Sequence, residues 1–269
     1  MNLHEIKNVV VTGCSFMQGL SLTKTHNSAL DNFLTSPEQL QNRFSKILSD
    51  MLNANEVNIA SAGGSNERGI RKIYEWCEAN SEQVKNSVFV FGLTELLRKE
   101  KYCRNTKSYI NWRNTMFFNN TDGLDNEKMN IKLTPGSREF VNYVKENDLY
   151  PLLLSYAKVG ILLFTDLDYE FKTLSRQLDL LNCYIESKGG KLVIIAAMLE
   201  VDDFVSKEFG IKGELTENKF NFLTFPGGFK CWKSYIKSYD PYYSWARHPS
   251  IQDDKILAEL TYTYVESIL

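Results

Sequence analysis

Short continuous apolar runs alternate with longer stretches in which apolar residues recur every three or four positions. The runs cover residues 8–12, 57–60, 88–91 and, after Gly189-Gly190, 192–197. Their length and Val/Ile/Phe content fit strands buried on both faces, as in a parallel sheet covered by helices. Residues 40–52 place Phe44, Ile47, Leu48 and Met51 on one helical face, and 66–80, 168–187 and 251–268 read as further helices. Strand alternating with helix predicts right-handed crossovers and an open three-layer α/β/α domain.

Between residue 98 and about residue 163 the pattern breaks down. Residues 104–126 are polar and aromatic, with Tyr109, Trp112, Arg113, Phe117 and Phe118, and Thr134-Pro135-Gly136 marks a turn before helical patterns at 139–147 and 152–164. So long an interruption after the third strand predicts a helical or irregular insertion over 102–163, a lid or partner-docking element within a single domain of residues 1–269. A second irregular region, 210–243, includes Pro226-Gly227-Gly228 and Pro241-Tyr242-Tyr243.

Composition narrows the functional classes. Lys+Arg is 31 against Asp+Glu 33, so no global basic field points to nucleic acid. Five cysteines (Cys14, Cys77, Cys103, Cys183, Cys231) are scattered without C-x-x-C spacing, so neither a zinc nor a redox motif is present. Their odd number, and a start at Met1 to Lys7 without a basic and long apolar leader, predict reduced thiols and cytoplasmic synthesis. No run reaches the length of a membrane span. No cofactor or metal is expected. The 14 Tyr, 16 Phe and 4 Trp fit large core side chains, or a sugar- or acyl-binding surface; composition does not separate the two.

The chemistry concentrates where the first strand ends. Val9-Val10-Val11-Thr12-Gly13-Cys14-Ser15 runs a β-branched strand into a glycine turn carrying a hydroxyl, at the strand end where open α/β sheets place ligands. A serine nucleophile needs a base, and the chain has three histidines, His4, His26 and His248. His248, in Arg247-His248-Pro249-Ser250, sits on a loop at the mouth of the last helix. His4 precedes the first strand and His26 lies in a polar loop.

These segments together resemble the SGNH (GDSL-like) hydrolases. The first block of that family, glycine-aspartate-serine, matches Gly13-Cys14-Ser15. The second, an asparagine followed five residues later by an oxyanion-hole glycine, matches Asn58 and Gly63, continued by Gly64-Ser65-Asn66. The third, glycine-x-asparagine-aspartate, falls on Gly92-Leu93-Thr94-Glu95, and the last, aspartate-x-x-histidine, on Trp245-Ala246-Arg247-His248. The resemblance implies a flavodoxin-like three-layer fold, Ser15 as nucleophile, His248 as base, and an oxyanion hole from Ser15, Gly63 and Thr94. Thr94 replaces the family's oxyanion asparagine and Trp245 its triad aspartate. The same blocks look like SGNH-type proteins of bacteriophage and marine bacteria.

Asp240, eight residues before His248, is the nearest upstream acid, while Asp253 and Asp254 read as first-turn helix charges favoured by the macrodipole. A backbone carbonyl orienting the imidazole would leave a Ser–His dyad. Asn66 reads as a helix N-cap, and Glu95 with Arg98 more often forms a helical ion pair than a catalytic device; Asp240, Glu95 and Asn66 are the candidate supporting residues of the site. The leading expectation is a serine esterase acting on an O-acyl or O-acetyl group of a small molecule or glycan. The alternative is a degenerate domain serving as a structural or interaction module, a homo-oligomer or a virion component. A nucleotide binder is disfavoured, since neither G-x-G-x-x-G nor a P-loop lysine follows a strand.

Overall fold

Val9, Val10 and Val11 are all wholly buried, so the first strand is covered on both faces. In the computed structural model, which describes residues 1–19, 37–113, 135–164, 166–198, 223–229, 231–240 and 249–269, this strand is β1 (Asn8–Thr12). It pairs in parallel with β2 (Asn55–Asn58) on one side and β3 (Ser87–Leu93) on the other. An antiparallel hairpin of β4 (Arg98–Cys103) and β5 (Ser108–Arg113) follows, before β6 (Lys191–Ala196) joins β3 in parallel. The main sheet has the order β2-β1-β3-β6, with Val10 opposite both Val57 and Phe89.

The helices are α1 (Ser15–Gln18), α2 (Pro37–Asn42), α3 (Phe44–Met51), α4 (Asn66–Ala79), α5 (Pro135–Glu146), α6 (Tyr150–Phe164), α7 (Leu167–Ser187), α8 (Trp232–Tyr239) and α9 (Ile251–Ile268). Strand side chains alternate between faces. Val9, Val11, Val88, Val90, Val193 and Ile195 pack with α3, α8 and α9, while Val10, Phe89, Phe91 and Ile194 pack with α4 and α7. Two cores separated by one parallel sheet make the three-layer α/β/α domain that the alternation of elements predicts.

Three departures from the sequence expectations have local causes. The helix expected over 40–52 is two helices, because Arg43 is extended (φ −75°, ψ 149°). Its guanidinium grips the Glu56 carboxylate on β2 with two hydrogen bonds, at 2.7 and 2.8 Å. The second strand lies earlier than 57–60 because the Asn58 side chain folds back to accept the Ala60 N–H, turning the chain. Part of the stretch read as patternless is the β4–β5 hairpin, which among the described residues pairs only with itself. Arg98-Lys99-Glu100-Lys101 carries no apolar alternation, so the strand is invisible to hydropathy. Its anchors are the Arg71–Glu100 ion pair and the Arg71 guanidinium 4.0 Å over the Tyr109 ring. A small third core joins Ile110 to Ala157 of α6.

Candidate active site

The turn after β1 is built around glycine. Gly13 has φ +140°, and a Cβ there would lie 2.6 Å from Met17 Cγ and 2.7 Å from the Gly92 carbonyl oxygen. Only glycine meets both the conformation and the contact. The turn delivers Ser15 as the first residue of α1, with Cys14 as its N-cap and Gly19 as its left-handed C-cap (φ 83°). Ser15 is nearly buried, and neither its N–H nor its hydroxyl has a hydrogen-bond partner among the described residues.

The turn after β2 is locked to it. The Asn58 amide donates to the Met17 carbonyl at 3.0 Å and to Ser45 Oγ at 2.7 Å, which ties α1 to both β2 and α3. Ser45 in turn donates to the Glu56 carboxylate held by Arg43. The Ser61 N–H donates to the Gly13 carbonyl at 3.1 Å, and the Gly64 N–H closes the turn onto Ser61 at 2.8 Å. Gly63 is left-handed (φ 69°), and its N–H has no partner among the described residues.

The third wall is the end of β3. Asn66 is not the helix N-cap: Ser65 is, its side chain accepting the Arg68 N–H at 3.2 Å. The Asn66 amide instead bridges to β3, accepting the Thr94 N–H at 2.9 Å and donating to the Thr94 carbonyl at 3.0 Å. The Thr94 hydroxyl is fully buried without a hydrogen-bond partner among the described residues, as are Thr12 Oγ1 at the end of β1 and Gln18 Oε1 in α1. An unsatisfied buried hydroxyl costs about 1–3 kcal/mol, so such groups collect where a ligand or water completes them. Glu95 pairs with Arg98 at 3.1 Å, in the turn entering β4 rather than on a helix.

His248 and Trp245 lie outside the described residues, as do His26, Phe117, Phe118 and residues 210–222. The backbone of Trp112 and Arg113 belongs to β5, but their side chains also lie outside the description. His4 stands before the amino end of β1, the opposite end of the strand from Ser15.

The start of α9, just after His248 in the sequence, is tied to the end of α8. Ser250 caps α9 through a capping box with Asp253, and the Tyr239 hydroxyl donates to Asp253 Oδ1 at 2.5 Å. That bond draws the end of α8, where Asp240 is the C-cap, to the start of α9. Asp254, expected as a helix charge, is instead buried against α3. Desolvation pushes its carboxyl well above the usual range, with neighbouring Asp253 adding to the rise, although the Phe44 N–H bonded to it pulls the other way. Phe44 follows Arg43, whose Cβ packs on Gly19, so the start of α9 joins α1 through the start of α3.

Sequence patterning missed the Arg43–Glu56–Ser45–Asn58 network, the Asn66 bridge and the burial of Asp254. None of them carries a hydropathy signal, since each is a polar residue whose partner is distant along the chain. No group of three His, Cys, Asp or Glu among the described residues could hold a metal ion. A cleft of about 510 Å³ between α4 and α7, lined by residues including Ile70, Tyr74, Glu78 and Leu180, shares no residue with the Ser15 group. No helix among the described residues is long and apolar enough to cross a membrane.

No protein-family model matches the sequence, and no curated protein matches it. Solved structures align over nearly the whole chain at low identity. TesA is 9% identical with a TM-score of 0.46, covering 98% of this chain and 100% of its own. The psychrotrophic esterase EstA from Pseudoalteromonas sp., in a structure inhibited by monoethylphosphonate, is 7% identical with a TM-score of 0.44, covering 97% and 98%. A GDSL-like lipase from Parabacteroides merdae is 11% identical with a TM-score of 0.40, covering 98% of each chain.

Proposed function

We propose that this chain is a serine ester hydrolase acting on an O-acyl or O-acetyl group of a small molecule or glycan. Ser15 is the nucleophile and His248 the general base. The observation that carries the reading is the contact between three strand-end turns, each offering a donor without a partner among the described residues: the Ser15 N–H, the Gly63 N–H and the Thr94 hydroxyl. Ester cleavage by serine needs that combination, because attack on the acyl carbonyl creates an oxyanion that fixed donors stabilise without reorganising.

In this mechanism Ser15 Oγ bonds to the acyl carbon as its proton passes to the His248 imidazole. The tetrahedral intermediate collapses, the ester C–O bond breaks, and His248 returns the proton to the leaving alcohol. Water then adds to the acyl carbon as His248 takes its proton, and the bond from that carbon to Ser15 Oγ breaks as His248 returns the proton to Ser15, releasing the acid. The Ser250–Asp253–Tyr239 hydrogen bonds anchor the start of α9, which follows His248 in the sequence.

The test is labelling with a fluorophosphonate probe alongside turnover of p-nitrophenyl acetate. Wild type should label and turn over, Ser15→Ala should do neither, and His248→Ala should lose most turnover. An unlabelled wild type without turnover would refute the proposal.

One observation favours a second reading, an interaction module of a homo-oligomer or a virion. Leu152, Tyr156 and Val159 are exposed on successive turns of α6 while its other side packs on Ile110. Leu152→Asp should shift a concentration-dependent sedimentation coefficient if that face binds a second copy, and leave it unchanged otherwise.

A further inference from the structure

We infer that Asn66 is a positioning residue, which holds the Thr94 backbone so that the Thr94 hydroxyl meets the oxyanion; the inference rests on the hydrolase reading above. Thr94 is the first residue past the ladder. Pairing of β3 with β6 ends at Leu93 opposite Ala196, and the Leu93 carbonyl accepts the N–H groups of both Ala197 and Met198, at 3.1 and 3.0 Å. The Thr94 N–H and C=O therefore have no strand neighbour. Asn66 supplies one from a side chain: its Oδ1 takes the N–H and its Nδ2 reaches the C=O.

With both backbone groups fixed and both residues buried, the position of the hydroxyl oxygen depends on one torsion, about Cα–Cβ, and the hydroxyl hydrogen rotates to meet an acceptor. Branching at Cβ restricts that torsion further. A threonine hydroxyl is a shorter and freer donor than an asparagine amide, and the Asn66 bridge removes the part of that freedom that lies in the backbone. The asparagine 28 residues before Thr94 thus acts through the residue that bears the donor.

A double-mutant cycle on turnover tests this, with wild type, Asn66→Ala, Thr94→Val and the double variant. Misdirecting the donor should cost less than the roughly hundred- to thousandfold loss from deleting one. Asn66→Ala should therefore lower kcat about tenfold to a hundredfold, with KM within about twofold. In the Thr94→Val background, with no hydroxyl left to aim, the same substitution should change kcat by less than about twofold. Equal losses in both backgrounds, or no loss in either, would overturn the inference. Should Asn66→Ala not fold, Asn66→Asp, which keeps the acceptor for the Thr94 N–H and loses the donor, goes through the same cycle. Ser15-dependent turnover with equal losses refutes the positioning role alone, whereas absence of any Ser15-dependent turnover refutes the hydrolase reading and this role with it.

Discussion

The Ser61 N–H donates to the Gly13 carbonyl oxygen at 3.1 Å, joining the turn that delivers Ser15 to the turn that carries Gly63. A side chain at Gly64 would break this junction, since its Cβ would lie 2.8 Å from that same Gly13 oxygen and 2.9 Å from the Ser61 oxygen. Both obstacles are backbone and cannot swing away. Gly64→Ala should cost about 1–3 kcal/mol of stability, as overpacking does, measured by urea melts. It should also lower kcat as the two turns separate. Unchanged kcat in a destabilised protein would show that the junction is structural only.

Thr94→Val separates stability from activity. The substitution keeps the shape and removes a buried hydroxyl that has no partner. Replacing such a group by an apolar isostere should leave stability equal or higher by about 1 kcal/mol, read as a raised Tm. Turnover should fall about a hundred- to a thousandfold if the hydroxyl is an oxyanion donor. A lowered Tm with full activity would contradict both halves.

Asp254 predicts a pH dependence. Burial raises its carboxyl pKa in the folded protein, so the folded state holds a proton that the unfolded state releases. Its contribution to stability is complete below the unfolded pKa and is lost as pH climbs toward the folded one, at up to about 1.4 kcal/mol per pH unit. Asp254→Asn keeps an acceptor for the Phe44 N–H and removes the ionisation. Its Tm gain over wild type should be larger at pH 7 than at pH 4; an equal difference at both would show that Asp254 ionises normally.

Trp245→Asp tests how the base is oriented. If His248 works as a dyad, restoring a carboxylate three residues upstream should increase Ser15-dependent esterase activity, because a lost triad aspartate costs about ten-thousandfold in a serine protease. Asp240 is the competing source of a carboxylate. Strong wild-type activity abolished by Asp240→Asn would assign the acid there and remove the dyad.

The apolar runs of the sequence determine the sheet: a stretch such as Val88 to Phe91 can satisfy its backbone and bury both faces only within a covered parallel sheet, and β3 includes it. The same holds for α9, whose span of Ile251–Ile268 follows from its capping residues and apolar periodicity. Local glycine chemistry likewise marks the turn at Gly13, and Ser15 with it. Tertiary structure decided what the polar residues do. Arg43 breaks a helix because Glu56 lies across from it, Asn66 bridges to β3 instead of capping α4, and Asp254 turns from a helix charge into a buried acid because α3 covers it. Hydrophobic burial follows a period that can be read along the chain, whereas a hydrogen bond or an ion pair needs one specific distant partner, and only the fold says which residue that is.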